Sequence, residues 1–84
     1  MEQFETGMMA RSQSGHDAGN VYVITKVEET YVYLVDGKVR TLDKPKKKKK
    51  KHVQLIKESF DIQGATDVDI KRWIKIWNKE DNQN

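Results

Sequence analysis

Lys46 to Lys51 are six consecutive ammonium groups, and Lys44 precedes them across Pro45. The chemistry open to such a run is anion binding. Each lysine is a hydrated point charge, without the planar fork by which arginine grips a phosphate or carboxylate with two bonds. Segment 44–51 holds seven of the chain's sixteen Lys and Arg and none of its thirteen Asp and Glu. Outside it, nine cationic residues face thirteen carboxylates, a balance of −4, so the formal net charge of +3 conceals a polarised molecule. A patch of that density points to a polyanion: nucleic acid, an anionic membrane surface or an acidic protein segment. The bland reading is a solvated loop that assists solubility.

The other residues with chemistry to offer are few. Arg11 and Arg40 can stack and can fork to phosphate. Gly15 and Gly19 flank His16-Asp17-Ala18 and precede Asn20. Glycines there supply positive φ in a tight loop and let backbone amides approach a phosphate. Asp17 is expected to brace that loop by accepting backbone amides. His16 and His52 are too few and too far apart for a metal site, and His52 either touches the bound anion beside the lysines or opens a strand. No Ser–His–Asp arrangement, phosphate-cradling glycine loop or plausible carboxylate pair is present. The expectation is a non-enzymatic chain without metal or cofactor. Zero cysteines exclude disulfides and fit a reducing compartment. The absence of a secretory or membrane-spanning stretch predicts a cytoplasmic protein with no membrane partner.

These residues need elements to position them. Eighty-four residues make one small domain, which buries only about 60% of its unfolded surface. Met8 to Arg11 suggests a short first strand. Val21 to Val27 alternates as a strand, with apolar residues on both faces. Tyr31 to Val35 is the next strand. Asp36-Gly37 signals a hairpin, with Lys38 to Leu42 returning as its partner strand. The lysines then form a long connection, because buried ammoniums cost too much for an interior strand. His52 to Ile56 closes the sheet. Thr66-Asp67-Val68-Asp69 starts a helix: Thr66 caps, and Asp67 and Asp69 lie where the helix dipole favours anions. Ile70, Trp73, Ile74 and Trp77 make one apolar stripe, with Lys71, Arg72, Lys75 and Lys79 along a basic edge. Such a helix either covers an open end of the sheet structure or detaches to bind a partner groove or membrane surface. Tyr22, Tyr31 and Tyr33 either pack in the core or stack on bases.

The stretch Ser14-Gly15-His16-Asp17-Ala18-Gly19-Asn20-Val21-Tyr22-Val23-Ile24 resembles the KOW motif, whose core is Gly-x-Asp-x-Gly followed by hydrophobic alternation. Leu34-Val35-Asp36-Gly37-Lys38-Val39-Arg40, a basic stretch and His52-Val53 then continue in the manner of the KOW-motif large-subunit ribosomal proteins. Short bacterial KOW-domain proteins are similar as well. Positions 16 and 18, commonly basic in that pattern, are His16 and Ala18 here. The resemblance covers about residues 8–56. It implies a mainly β fold: a small SH3-like barrel of about five strands, here with a C-terminal amphipathic helix outside the motif. It also implies binding to structured RNA, above all ribosomal RNA or a ribosomal particle, by a monomer.

The resulting division is a flexible N-terminus (1–7), a barrel (8–57) with a lysine-rich loop (44–51), a linker (58–65), a helix (66–80) and a tail (81–84). The expected RNA contacts are Arg11, Gly15, His16, Gly19, Asn20, Arg40, Lys44, Lys46, Lys47, Lys48, Lys49, Lys50, Lys51 and His52. The lysines supply affinity and salt dependence rather than sequence reading. The alternative is a protein-interaction module, with the Trp-bearing helix or barrel edge holding a partner and the lysines engaging an acidic segment. DNA is a third candidate, since phosphate charge alone does not separate it from RNA.

Overall fold

In the computed structural model, which describes residues 3–81 and side chains through Lys79, five antiparallel strands form one sheet. They are β1 (Met8–Ser12), β2 (Val21–Val27), β3 (Tyr31–Val35), β4 (Lys46–Lys49) and β5 (Val53–Ser59), in the spatial order β4-β3-β2-β1-β5. A 3₁₀ turn, Lys50–His52, joins the two edge strands, and one helix, α1 (Asp67–Asp81), follows. This is the mainly β architecture expected, a small β-barrel-like domain with a C-terminal helix. The turn is pinned at both sides, because the Lys50 amide donates to Thr30 (2.9 Å) and His52 accepts from the Gln13 amide (2.9 Å).

The apolar residues on both faces of β2 are both used. Tyr22 and Ile24 join Ala10, Val32, Leu34 and Val53 in an inner core. Val21 and Val23 join Met9 and Val35 on the opposite face, where Ile70 of α1 seals them. The helix thus covers the outer face of the sheet and not an open end. Ile70 is fully buried, and Trp73 stacks on Phe60 with ring centroids 4.6 Å apart. Thr66 caps its start as expected, and with Asp69 it forms a capping box: the Asp69 amide donates to Thr66 Oγ1 (3.2 Å) and the Thr66 amide to Asp69 Oδ2 (3.0 Å). Those bonds hold the Asp69 carboxyl below its ordinary range. No helix among the described residues is long and apolar enough to cross a membrane.

Three boundaries differ from the sequence reading. Residues 4–7 are tied in, with Phe4 against the inner core and Gly7 bonded to both Ile24 and Phe60; residues 1–2 and 82–84 lie outside the described residues. The last strand runs on to Ser59, into the expected linker. The third difference matters most: residues 38–42 form no strand, and the lysines pair with β3 in their place.

The reason lies in the turn. Asp36 Oδ1 accepts the amides of Lys38 (2.9 Å), Val39 (3.0 Å) and Arg40 (2.8 Å), curling the chain away from β3. Of Asp36 and Gly37 only Gly37 takes a positive φ, at 78°, so the two-residue hairpin does not form. A Cβ on Gly37 would collide with the carbonyl oxygen of Asp67, because the start of α1 rests directly on this turn. The Leu42 amide is also drawn to the helix, donating to Asp67 Oδ1 at 2.8 Å.

Candidate nucleic-acid interface

The lysine run is an edge strand followed by a 3₁₀ turn, not a free loop. Its register with β3 sets Lys46 opposite Leu34, Lys47 opposite Tyr33, Lys48 opposite Val32 and Lys49 opposite Tyr31. Strand periodicity therefore splits a uniform sequence into two faces. Lys46 and Lys48 turn toward the inner core, and Lys47 and Lys49 turn outward. An edge strand tolerates this because a lysine stem lies along apolar surface while its ammonium reaches a polar partner.

That partner is Asp17. Lys48 Nζ lies 3.2 Å from Asp17 Oδ1 and donates to the Ser14 carbonyl at 3.0 Å. Ser12 Oγ donates to the same carboxylate oxygen at 3.0 Å. Lys46 Nζ stands 3.3 Å from Oδ2. That contact is an ion pair off the line of a hydrogen bond, which leaves Oδ2 without a donor. Burial alone pushes the Asp17 carboxyl up, but Lys48, Ser12 and Lys46 outweigh it and hold the group at about 2. Asp17 does brace the glycine loop, though through side chains and not through the backbone amides expected of it. Lys46 and Lys48, both expected as phosphate contacts, thus turn inward onto Asp17, one carboxylate between two ammoniums, and stand apart from the outward lysines.

The outward lysines stand differently. Lys47 Nζ sits over the Tyr31 ring at 4.5 Å and the Tyr33 ring at 5.9 Å. Lys26 Nζ also lies over the Tyr33 ring, 5.2 Å from its centroid. Glu28 lies beside this group, 3.9 Å from Lys47 and bonded to the Tyr33 hydroxyl at 3.3 Å. Lys49, Lys50 and Lys51 border a shallow hollow of ≈350 Å³ with Glu29 and Thr30. Lys44, Lys47, Lys49 and Lys51 are exposed, whereas Lys50, over Phe4, and His52 are half-buried. Tyr22 is in the inner core and does not stack on a ligand.

The remaining expected contacts are elsewhere. Gly15 and Gly19 both hold positive φ, as the loop reading requires. The loop turns back on itself through Ala18 to Gly15 (3.2 Å), Gly19 to Ser12 (2.7 Å) and Ser12 to Asn20 (2.9 Å) bonds. His16 is exposed at its tip. Arg40 closes the 36–40 turn, its carbonyl accepting the Asp36 and Gly37 amides. Arg11, Gly19 and Asn20 line a separate groove beside α1, away from the lysine strand. Residues 44–51 and the Arg11–Asn20 loop thus touch through Lys46 and Lys48 but present two surfaces. Sequence reasoning missed Ser12 and Ser14 as lysine partners and Lys38 in the groove. A Ser-x-Ser-x-x-Asp pattern facing a lysine stretch was the available signal for the first two. No protein-family model and no curated protein matches this chain.

Proposed function

We propose that this chain is a KOW-type, non-enzymatic RNA-binding domain that docks on structured RNA, such as ribosomal RNA in a ribosomal particle, as a cytoplasmic monomer. The observation that carries this reading is the outer face of β4 and its 3₁₀ turn. Lys47 presents charge there over the half-buried rings of Tyr31 and Tyr33, Lys49 follows it opposite Tyr31 in the register, and Lys51 is exposed on the turn that continues the strand. Cations along a backbone track, interleaved with aromatic rings, suit phosphates and unstacked bases together. The glycine loop following β1, in the order Gly15-His16-Asp17-Ala18-Gly19, and the five-strand order support the KOW assignment.

The protein-interaction alternative has less to stand on. The apolar stripe it would use on α1 is turned onto the sheet, and a lysine-covered edge discourages strand addition.

Crosslinking the protein to RNA in cells and sequencing the RNA tests the proposal. Changing Lys47, Lys49 and Lys51 to serine is expected to reduce crosslinking sharply. In vitro, each lysine withdrawn from a phosphate should flatten the log–log salt dependence by about 0.7–0.9, so the triple variant should flatten it by about 2. Unchanged crosslinking in that variant, or recovery of no defined RNA from the wild type, overturns the proposal. A ribonuclease-insensitive pulldown of a protein partner would favour the alternative.

A further inference from the structure

The solvent face of α1 forms one wall of an open groove of ≈980 Å³, and the 19–21 and 36–39 segments with Arg11 form the other. Five cationic side chains line it: Arg11, Lys38, Lys71, Arg72 and Lys75, against a single carboxylate, Asp36. One oxygen of that carboxylate already accepts three backbone amides of its own turn. Among the described residues, none of the five cations is in an ion pair. This concentration stands out because the chain outside 44–51 has a charge balance of −4. Three carboxylates have partners of their own: Asp17 with the inward lysines, Asp67 on the Leu42 amide, Asp69 in the helix cap.

The groove is also preorganised. The Arg11 guanidinium lies over the Trp77 ring, 5.5 Å from its centroid, in a half-buried cation–π contact. A guanidinium so held keeps its fork available for an oxyanion at little cost in side-chain entropy. The rim is apolar as well as cationic, with Val39 77% exposed and Val68 56% exposed. Exposed valines next to arginine and lysine offer a surface for base faces as well as phosphates.

We propose that this groove binds a single-stranded segment of RNA, as a second contact of the molecule whose first contact is the lysine edge. The inference rests on the RNA-binding reading and adds to it a site on the helix. Cations on both walls, with exposed valines beside them, suit a single strand, whose phosphates and unstacked base faces can both be met. The loop 14–20 is shared by both surfaces: Lys48 bonds to Ser14 on one side, and Gly19 and Asn20 line the groove on the other. A strand leaving the groove along that loop arrives at the lysine edge.

The test is binding of a labelled oligouridylate, read by fluorescence anisotropy across a salt series. The groove variant is Lys71→Gln, Arg72→Gln and Lys75→Gln, three helix-compatible changes at exposed positions whose fold is checked by circular dichroism. The edge variant is Lys49→Gln with Lys51→Gln. For a single strand, removing three cations from its phosphates should flatten the salt slope by about 2 and weaken binding about tenfold or more at low salt. Wild-type Trp77 emission should shift on RNA addition, and Arg11→Lys should reduce that shift while conserving charge. If the groove variant binds like wild type while the edge variant loses binding, the groove proposal fails and the RNA reading stands. If a duplex competes as well as the single strand, the single-strand assignment fails. If the wild type ignores RNA and binds polyglutamate through Lys71, Arg72 and Lys75, both fail and the groove is a docking site for an acidic peptide.

Discussion

Asp17 decides what the lysines of β4 can do. Its carboxyl is held at about 2, against 3.8 for an unperturbed aspartate, because Lys48, Ser12 and Lys46 overcome its desolvation. A carboxyl depressed on folding stabilises the native state above its unfolded pKa and withdraws that stability as pH falls through the folded value. The window is therefore pH 3.8 down to about 2, and at 1.36 kcal/mol per unit the loss is about 2 kcal/mol. Urea unfolding at stepped pH should show this acid-labile component, and Asp17→Asn should lack most of it. The same variant leaves the nearly buried Lys48 ammonium without its carboxylate, and should cost about 2–3 kcal/mol at neutral pH. Lys48→Met makes the complementary point. It keeps an unbranched stem over Val32 and removes a charge already answered within the fold. The salt slope of RNA binding should then stay that of wild type, whereas Lys49→Met lowers it by about 0.7–0.9. A matching drop for Lys48→Met would mean that its ammonium leaves Asp17 to meet phosphate.

At the scale of the element, β4 is an edge strand built from the residue best suited to keep an edge solitary. An unpaired row of amides and carbonyls invites another strand, and lysines on it oppose that. Lys47→Val with Lys49→Val should strengthen strand propensity and remove the repulsion. Sedimentation should then report self-association that is stronger in the double variant than in the wild type; a double variant that associates no more than the wild type would sink the role assigned to these charges. The same strand marks the limit of what the sequence disclosed. β2 and β3 were legible because each is a short run rich in β-branched and aromatic residues bounded by polar turn residues, and α1 because Thr66, Ile70, Trp73, Ile74 and Trp77 carry cap and stripe. Six identical residues have no alternation, so neither the strand nor its two faces could be read from them. Lys38 to Leu42 looked like the better strand, but Asp36 spends its carboxylate on the following amides and Gly37 is claimed by the helix. Replacing Gly37 with Ala should show how tightly: positive φ and the Asp67 carbonyl together should cost about 2 kcal/mol or more. The groove was invisible for a different reason. Its cations come from residues 11, 38 and 71–75, and only the docking of α1 brings them together.

At the scale of the molecule, the sheet has a core on each face, and α1 belongs to the second as fully as any strand. Met9, Val21, Val23 and Val35 are covered by Ile70 with its partly buried neighbours Trp73, Ile74 and Trp77, and by Ile56, Phe60 and Ile62. A helix that left the sheet would expose the part of that surface it covers, at about 25 cal/mol for each Å² of apolar area. A domain this small has a total stability of only about 5–15 kcal/mol. Sheet and helix should therefore unfold together. The chain carries its own test, because both tryptophans, Trp73 and Trp77, lie in α1. Their emission reports the helix against the sheet, stacked on Phe60 in one case and beside Arg11 in the other. Far-UV circular dichroism reports strands and helix together. The two transitions in urea should coincide with one midpoint and one slope. A tryptophan transition completed at lower urea, with the strand signal intact, would mean that α1 detaches from a barrel that stands alone. The groove would then exist only part of the time, and RNA would bind it by first recruiting the helix to the sheet. In that case added oligouridylate should pull the two midpoints together, with a shift that grows with RNA concentration. Coincident transitions without RNA, shifted upward as one when RNA is added, identify a groove that is complete before its ligand arrives.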